Sequence, residues 1–174
     1  MSFKHFLRVL AFALLASEAS AIDGMAPGDV IFTFQEYESL NSDVASSVGC
    51  ECASAQLREK VEKFSEGPLE HALDSAVRLI CGTENTEMLH ALFHVTLVTS
   101  DSGSESPAWS LGRTFVCKPE LVAKEFKALQ RPQQRSLYEI LSIGFENAVY
   151  ERPEAKEVAR LRARLYSLAP ATSN

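Results

Sequence analysis

Residues 68–82, PLEHALDSAVRLICG, decide the fold class of this chain. Their apolar side chains recur every three or four positions, which places them on one face of an α-helix. These side chains are Leu69, Leu73, Ala76, Val77 and Ile80. Pro68 suits the first helical position, and Cys81-Gly82 suits the end of a helix. The stretch therefore predicts an amphipathic helix packed on a hydrophobic core.

The same spacing predicts helices on both sides of this stretch. Residues 54–65 fit a helix that stops at Gly67-Pro68, and residues 84–98 fit another, although the β-branched end of the latter would also suit a strand. Residues 30–40 fit either a helix or a short strand, and we assign them to a helix. Residues 22–29 and 41–49 are expected to be irregular.

Three prolines in the C-terminal half are expected to open helices. Pro119, Pro132 and Pro153 each precede a run with helical apolar spacing. Proline is tolerated in a first turn because the N–H that it lacks has no partner there. The predicted fold class is all-α, a small bundle of five or six helices in one domain over residues 22–174.

The first 21 residues are typical of an export signal. Lys4 and Arg8 precede the apolar run VLAFALLA at residues 9–16, and Ala19-Ser20-Ala21 supplies the small residues of a cleavage site. This run is too short to span a bilayer of about 30 Å, and no longer apolar run follows. We therefore predict a signal peptide over residues 1–21 that is cleaved after Ala21, and a soluble mature chain over residues 22–174 without a membrane span, located in the periplasm or secreted.

The charge of the exported chain limits its partners. Residues 22–174 carry 15 basic and 22 acidic side chains, a net charge of −7. This balance argues against general nucleic-acid binding, which requires a basic surface. It permits a basic protein partner, because opposite fields steer association.

Four cysteines predict a disulfide-stabilised protein. An even count in an exported chain indicates two disulfide bonds. A bond between Cys50 and Cys52 would close a strained ring. We therefore expect one of these two to bond Cys81 and the other to bond Cys117, without assigning which.

Residues 99–112, TSDSGSESPAWSLG, are the longest stretch predicted to be irregular, and they hold the only tryptophan. Trp109 near Asp101 and Glu105 is the predicted partner-binding site, because tryptophan is enriched where proteins bind one another. The alternative is that Trp109 folds this loop back onto the core.

Glu87, His90 and His94 are the candidate metal ligands. Their spacing places them on one helix face, and two histidines four residues apart can chelate a transition metal. A third ligand outside this run is missing, so no metal site is predicted. The run supports only an alternative function, a small periplasmic enzyme or metal carrier. No catalytic or cofactor-binding motif is present, and the chain is not expected to be an enzyme.

The C-terminal half resembles the Rap/Tai-type immunity proteins, which protect against amidases of type VI secretion. The resemblance covers roughly residues 69–150. It rests on residues 115–119, FVCKP, on the pair Arg131-Pro132 with Arg135, and on Cys81. The second helix of this pattern carries small and apolar residues at Leu137, Leu141, Gly144, Phe145 and Ala148.

This resemblance implies a helical, disulfide-containing inhibitor without catalysis of its own. Its partner would be a cell-wall hydrolase, blocked by a loop or surface inserted into the active-site groove, and the inhibitor would often form a homodimer. From the residues alone, we expect an exported protein-binding module without a cofactor. An exported structural factor with another partner is a further alternative.

Overall fold

The computed structural model of the protein describes residues 24–47, 51–100, 104–150 and 154–170, without the side chains of residues 51–54. All regular structure in these ranges is helical, which confirms the all-α prediction. The helices are α1 (Pro27–Ser46), α2 (Glu51–Phe64), α3 (Glu70–Thr83), α4 (Thr86–Val98), α5 (Ser106–Cys117), α6 (Pro119–Ala128), α7 (Arg131–Tyr150) and α8 (Ala155–Tyr166). The predicted signal peptide and the helix start at Pro153 lie outside the described residues.

One hydrophobic core lies between these helices. Buried side chains from every helix except α2 contribute to it, and the half-buried Val61 and Phe64 of α2 pack against it. Its buried aromatic residues are Phe34, Tyr37, Phe93, Phe115, Phe126 and Phe145. No helix in the described residues has both the length and the apolar character that crossing a bilayer requires.

The most extensive contact between two helices joins α5 and α7. Their backbones touch at two glycines. A Cβ atom on Gly112 would overlap the carbonyl group of Gly144, and one on Gly144 would overlap the carbonyl oxygen of Ala108. Next to this crossing, the rings of Phe115 and Phe145 meet edge to face, with centroids 5.8 Å apart. Only glycine at positions 112 and 144 lets the backbones of α5 and α7 come this close.

The predicted break at Gly67-Pro68 is wrong. A π-helical turn, Ser65–Leu69, carries the chain from α2 into α3 without interruption. A proline inside an α-helix would clash with the carbonyl group four residues earlier, and a wider turn with one extra residue relieves that clash. The described residues therefore form seven continuous helices, one more than the upper prediction.

The first helix is longer than the sequence indicates. It begins at Pro27 and continues to Ser46, through residues expected to be irregular on both sides. Pro27 is tolerated because it lies in the first turn, where the N–H that proline lacks would have no partner in the helix. The hydroxyl of Thr33 donates to the carbonyl oxygen of Asp29 at 2.9 Å, and the amide of Asn41 donates to that of Tyr37 at 2.8 Å. These polar side chains are thus satisfied inside the helix.

The predicted loop at residues 99–112 is also wrong over its second half, residues 106–112. Helix α5 begins at Ser106, with Pro107 in its first turn, and it contains Trp109. The apolar residues Leu111, Phe115 and Val116 face the core from this helix. Their burial explains why the segment is helical, although its first residues are polar and small.

The expected disulfide pairing is wrong. Cys81 and Cys117 bond each other directly, with Cα atoms 5.9 Å apart, because the ends of α3 and α5 lie side by side. They form the only disulfide in the described residues. Cys50 and the side chain of Cys52 lie outside the description. In the chain-entropy model, closing a loop between residues 36 apart stabilises the fold by about 3–4 kcal/mol.

Helix α3 ends at Thr83, and the left-handed residue after it is Glu84 rather than Gly82. Glu84 has a φ of 56°, which is unusual for a residue with a side chain. Its carboxylate lies 2.8 Å from the Nζ atom of Lys118, and this hydrogen bond lowers the pKa of Glu84. The pair lies beside the disulfide and joins the same two helix ends.

We expect Gly112→Ala and Gly144→Ala each to lower the free energy of unfolding by about 2–3 kcal/mol or more, because the added methyl group has no space between α5 and α7. Urea unfolding followed by circular dichroism measures this loss. Gly82→Ala is the matched control, since nothing lies within 4 Å of its added Cβ atom. Stability of Gly144→Ala equal to that of Gly82→Ala would contradict the close crossing.

We expect a non-reducing peptide map of the oxidised protein to contain a peptide pair joined through Cys81 and Cys117. This pair is expected to persist in the double variant Cys50→Ser/Cys52→Ser, because neither residue takes part in the bond. Mass spectrometry before and after reduction identifies the pair. A peptide joining Cys50 or Cys52 to Cys81 would contradict this pairing.

Candidate functional site

Trp109 lies on the solvent-facing side of α5, opposite the face that packs on the core. Its side chain is 52% exposed, although tryptophan is largely buried in most proteins. Arg113 lies one turn later on the same side. The helix thus presents a large aromatic ring and a cation together, and the α7 contact and the disulfide fix the helix beneath them.

Trp109 lines a shallow groove between α5 and α3, with a volume of about 210 Å³. We call the lining the Trp109 surface. It consists of Glu70, Leu73, Asp74, Ser106, Trp109, Ser110 and Arg113. The guanidinium of Arg113 donates to the carboxylate of Asp74 across the groove at 2.5 Å. This ion pair joins the two helices beside the ring.

The predicted partner-binding residues are partly brought together here. Glu105 is exposed and directly precedes α5, and its carbonyl oxygen accepts the backbone N–H of Trp109 at 3.0 Å. Asp101 lies outside the described residues. The alternative in which Trp109 plugs the core does not hold, because half of the side chain remains exposed.

The two histidines of the candidate metal site contact carboxylates on two different helices. The Nε2 atom of His90 lies 2.9 Å from Oε2 of Glu125 on α6. The Nε2 atom of His94 lies 3.5 Å from Oε2 of Glu38 on α1. Both histidines are more than half exposed, whereas Glu125 is nearly buried. The histidines thus connect α4 to α6 and α1.

Glu125 has a polar partner on each carboxylate oxygen. His90 contacts Oε2, and the Nζ atom of Lys124 lies 3.1 Å from Oε1. Hydrogen bonding to His90, followed by that to Lys124, lowers the pKa of Glu125 despite its burial. The groove beside these residues has a volume of about 270 Å³. Its lining is His90, Phe93, His94, Leu97, Glu125, Ala128, Leu129 and Gln133.

The remaining candidate ligand, Glu87, is exposed in the first turn of α4, where a carboxylate complements the helix dipole. Among the described residues, no three His, Cys, Asp or Glu side chains lie close enough together to hold a metal ion. The histidines therefore act in this structure as partners of single carboxylates.

A larger open groove, of about 810 Å³, lies between α1, α2 and the end of α4. Its lining mixes apolar side chains such as Val61 and Val98 with polar ones such as Asn41 and Glu62. Glu38 lines this groove and its partner His94 lines the smaller one, so their contact lies at the boundary between the two.

Three charged residues of the Trp109 surface were not predicted from the sequence: Glu70, Asp74 and Arg113. A local signal for Arg113 was present, because Pro107 marks a first helical turn as Pro119 does, and a helix there places Arg113 one turn after Trp109. Glu70 and Asp74 carry no such signal, since only the packing of α3 on α5 brings them to Trp109. Glu38 and Glu125 likewise carry no local signal, since only the packing of α1 and α6 on α4 brings them to His94 and His90.

Comparisons of this chain with protein-family models, with curated proteins and with solved structures found no match. The resemblance to the Rap/Tai-type immunity proteins therefore stays a prediction from residues 69–150.

We expect Glu125→Gln to lower the free energy of unfolding at pH 5–7 and to lose this difference at lower pH. A carboxylate with a lowered pKa stabilises the fold above the ordinary glutamate pKa of about 4.3, and this stabilisation is lost as the pH falls through the lowered value. Urea unfolding between pH 3 and pH 7 measures the effect. Glu87→Gln is the matched control, and equal pH profiles for the two variants would contradict the role of Glu125.

Proposed function

We propose that this protein is an exported protein-binding module that contacts its partner through the Trp109 surface. The observation that supports this most directly is the half-exposed Trp109 on a firmly packed helix, beside a groove with charged walls. Large aromatic side chains left exposed on a folded surface are characteristic of interface centres.

The energetics favour such a role for Trp109. A tryptophan side chain offers roughly 200 Å² of surface, so covering the exposed half removes about 100 Å² from water. At about 25 cal/mol per Å², this burial contributes about 2–3 kcal/mol to an association. Because α5 is fixed by α7 and by the disulfide, little ordering entropy is lost on binding.

In its sharper form, the proposal is an immunity-type inhibitor of a periplasmic cell-wall amidase. Its support is the sequence resemblance over residues 69–150, which includes both cysteines of the disulfide. The acidic balance of residues 22–174, a net charge of −7, suits a partner with a basic contact surface. Homodimer formation belongs to the same resemblance and is part of this sharper form.

We expect tagged protein comprising residues 22–174 to capture one near-stoichiometric protein from its own periplasmic and secreted fractions, and Trp109→Ala to reduce that capture at least tenfold. The loss corresponds to the 2–3 kcal/mol of buried indole surface. Quantitative mass spectrometry under non-reducing conditions measures both amounts, and a captured hydrolase is then assayed for inhibition.

Tyr166→Ala is the control for this experiment. Tyr166 is also an exposed aromatic residue, at 62%, but it lies on α8 and does not line the Trp109 surface. Unchanged capture by Trp109→Ala, with circular dichroism showing a folded protein, would rule out this surface as the contact.

A further inference from the structure

We propose that the partner inserts an arginine or lysine side chain onto the Trp109 surface, where the cation stacks on the indole ring and pairs with Glu70. This proposal rests on the proposed function and names the chemistry of the partner. Three observations support it: the acidic side chains around the groove, the Asp74–Arg113 ion pair already present there, and the exposed half of the Trp109 side chain.

The walls of the groove are predominantly acidic. Glu70 and Asp74 lie one turn apart on α3, and both line the groove with Trp109. Glu105 adds a third exposed carboxylate one turn before the ring. Arg113 is the one cation among the lining residues, so the lining carries a net charge of −1, and the neighbouring Glu105 brings the total to −2.

The two carboxylates of α3 differ in their partners. Asp74 is paired with Arg113. Glu70 is exposed, and it has no ion-pair or hydrogen-bond partner for its carboxylate within the described ranges. An incoming cation therefore has a carboxylate available at one end of the groove, while the other end is already neutralised.

The Asp74–Arg113 pair shows that an arginine on the surface can bridge α3 and α5. The Nη1 atom of Arg113 lies 2.5 Å from Oδ1 of Asp74. A partner's arginine placed one turn earlier would repeat this arrangement with Glu70 and the ring of Trp109. The contact that we propose for the partner is thus a second cross-helix ion pair, one turn before the existing one.

About half of the Trp109 side chain is open to solvent, and no cation of the described residues stacks on its ring. Within the described residues, the one cation–π contact is that of Arg162 with Phe145, on another part of the molecule. Arg113 is directed to Asp74 instead of stacking on Trp109. Tryptophan is the aromatic residue that attracts cations most strongly through its face, and covering the site strengthens the interaction.

The test uses the oxidised protein, residues 22–174, and short peptides as probes. Because Trp109 is the only tryptophan, one indole N–H resonance reports on the site in nuclear magnetic resonance spectra. We expect tri-arginine amide to shift this resonance saturably, with an affinity that falls as salt rises. Tri-glutamate amide is expected to leave it unchanged.

Variants separate the site from general attraction to an acidic protein. We expect Glu70→Gln to weaken tri-arginine binding about threefold, which is typical of one exposed ion pair. Trp109→Leu, followed through the backbone amides of residues 108–113, is expected to weaken tri-arginine binding further, since leucine keeps apolar area and lacks the aromatic face. Glu139→Gln, an exposed carboxylate on α7 outside the groove, is the matched control.

Equal binding by Glu70→Gln and Glu139→Gln, or shifts by tri-arginine spread evenly over all acidic surfaces, would overturn the proposal. So would an equal response to tri-glutamate. These failures are distinct from failure of the proposed function, because capture of a partner that depends on Trp109 but not on Glu70 would leave the binding module intact and exclude only a cationic anchor.

Discussion

The close contact between α5 and α7 is the constraint on which the rest of this structure depends. Gly112 and Gly144 let two helix backbones touch, and the carbonyl group of one helix occupies the space where the other would have a Cβ atom. Such an approach aligns the larger side chains on either side, and Phe115 and Phe145 fill the space next to it. Because interiors are packed to crystal-like density, neighbouring helices must follow this spacing.

The candidate site is a consequence of this contact. One face of α5 is committed to α7 and to the core, so the opposite face, with Trp109 and Arg113, is presented to solvent at a fixed angle. The bond from Cys117 to Cys81 and the pair of Arg113 with Asp74 then fasten α5 to α3 at two points. The proposed binding surface therefore lies on two helices that are already held together, and a partner would not have to order them.

Apolar periodicity was sufficient to predict the fold class, because the helical spacing of residues such as Leu69, Leu73 and Ile80 does not depend on how the helices are connected. Apolar periodicity was insufficient wherever a contact between distant parts of the chain determines the local structure. The disulfide pairing follows from two helix ends meeting in space, and the helical state of residues 106–112 follows from burial against α7. Of the candidate site, the sequence indicated Trp109 and Glu105 but not the α3 carboxylates, which are about 35 residues away in the chain.

The π-helical turn between α2 and α3 makes this helix sensitive to its residue count. Phe64 and Leu69 are five positions apart, out of phase for an α-helix, and the extra residue of the turn restores their alignment on the core. If the same five positions formed a regular α-helix, Phe64 and Leu69 would point about 140° apart, since each residue turns an α-helix by about 100°. Phe64 would then leave Tyr37, against which it stacks at 6.1 Å. Loss of one residue at this turn would therefore leave a regular helix with the same two faces aligned on the core, whereas a further insertion would not.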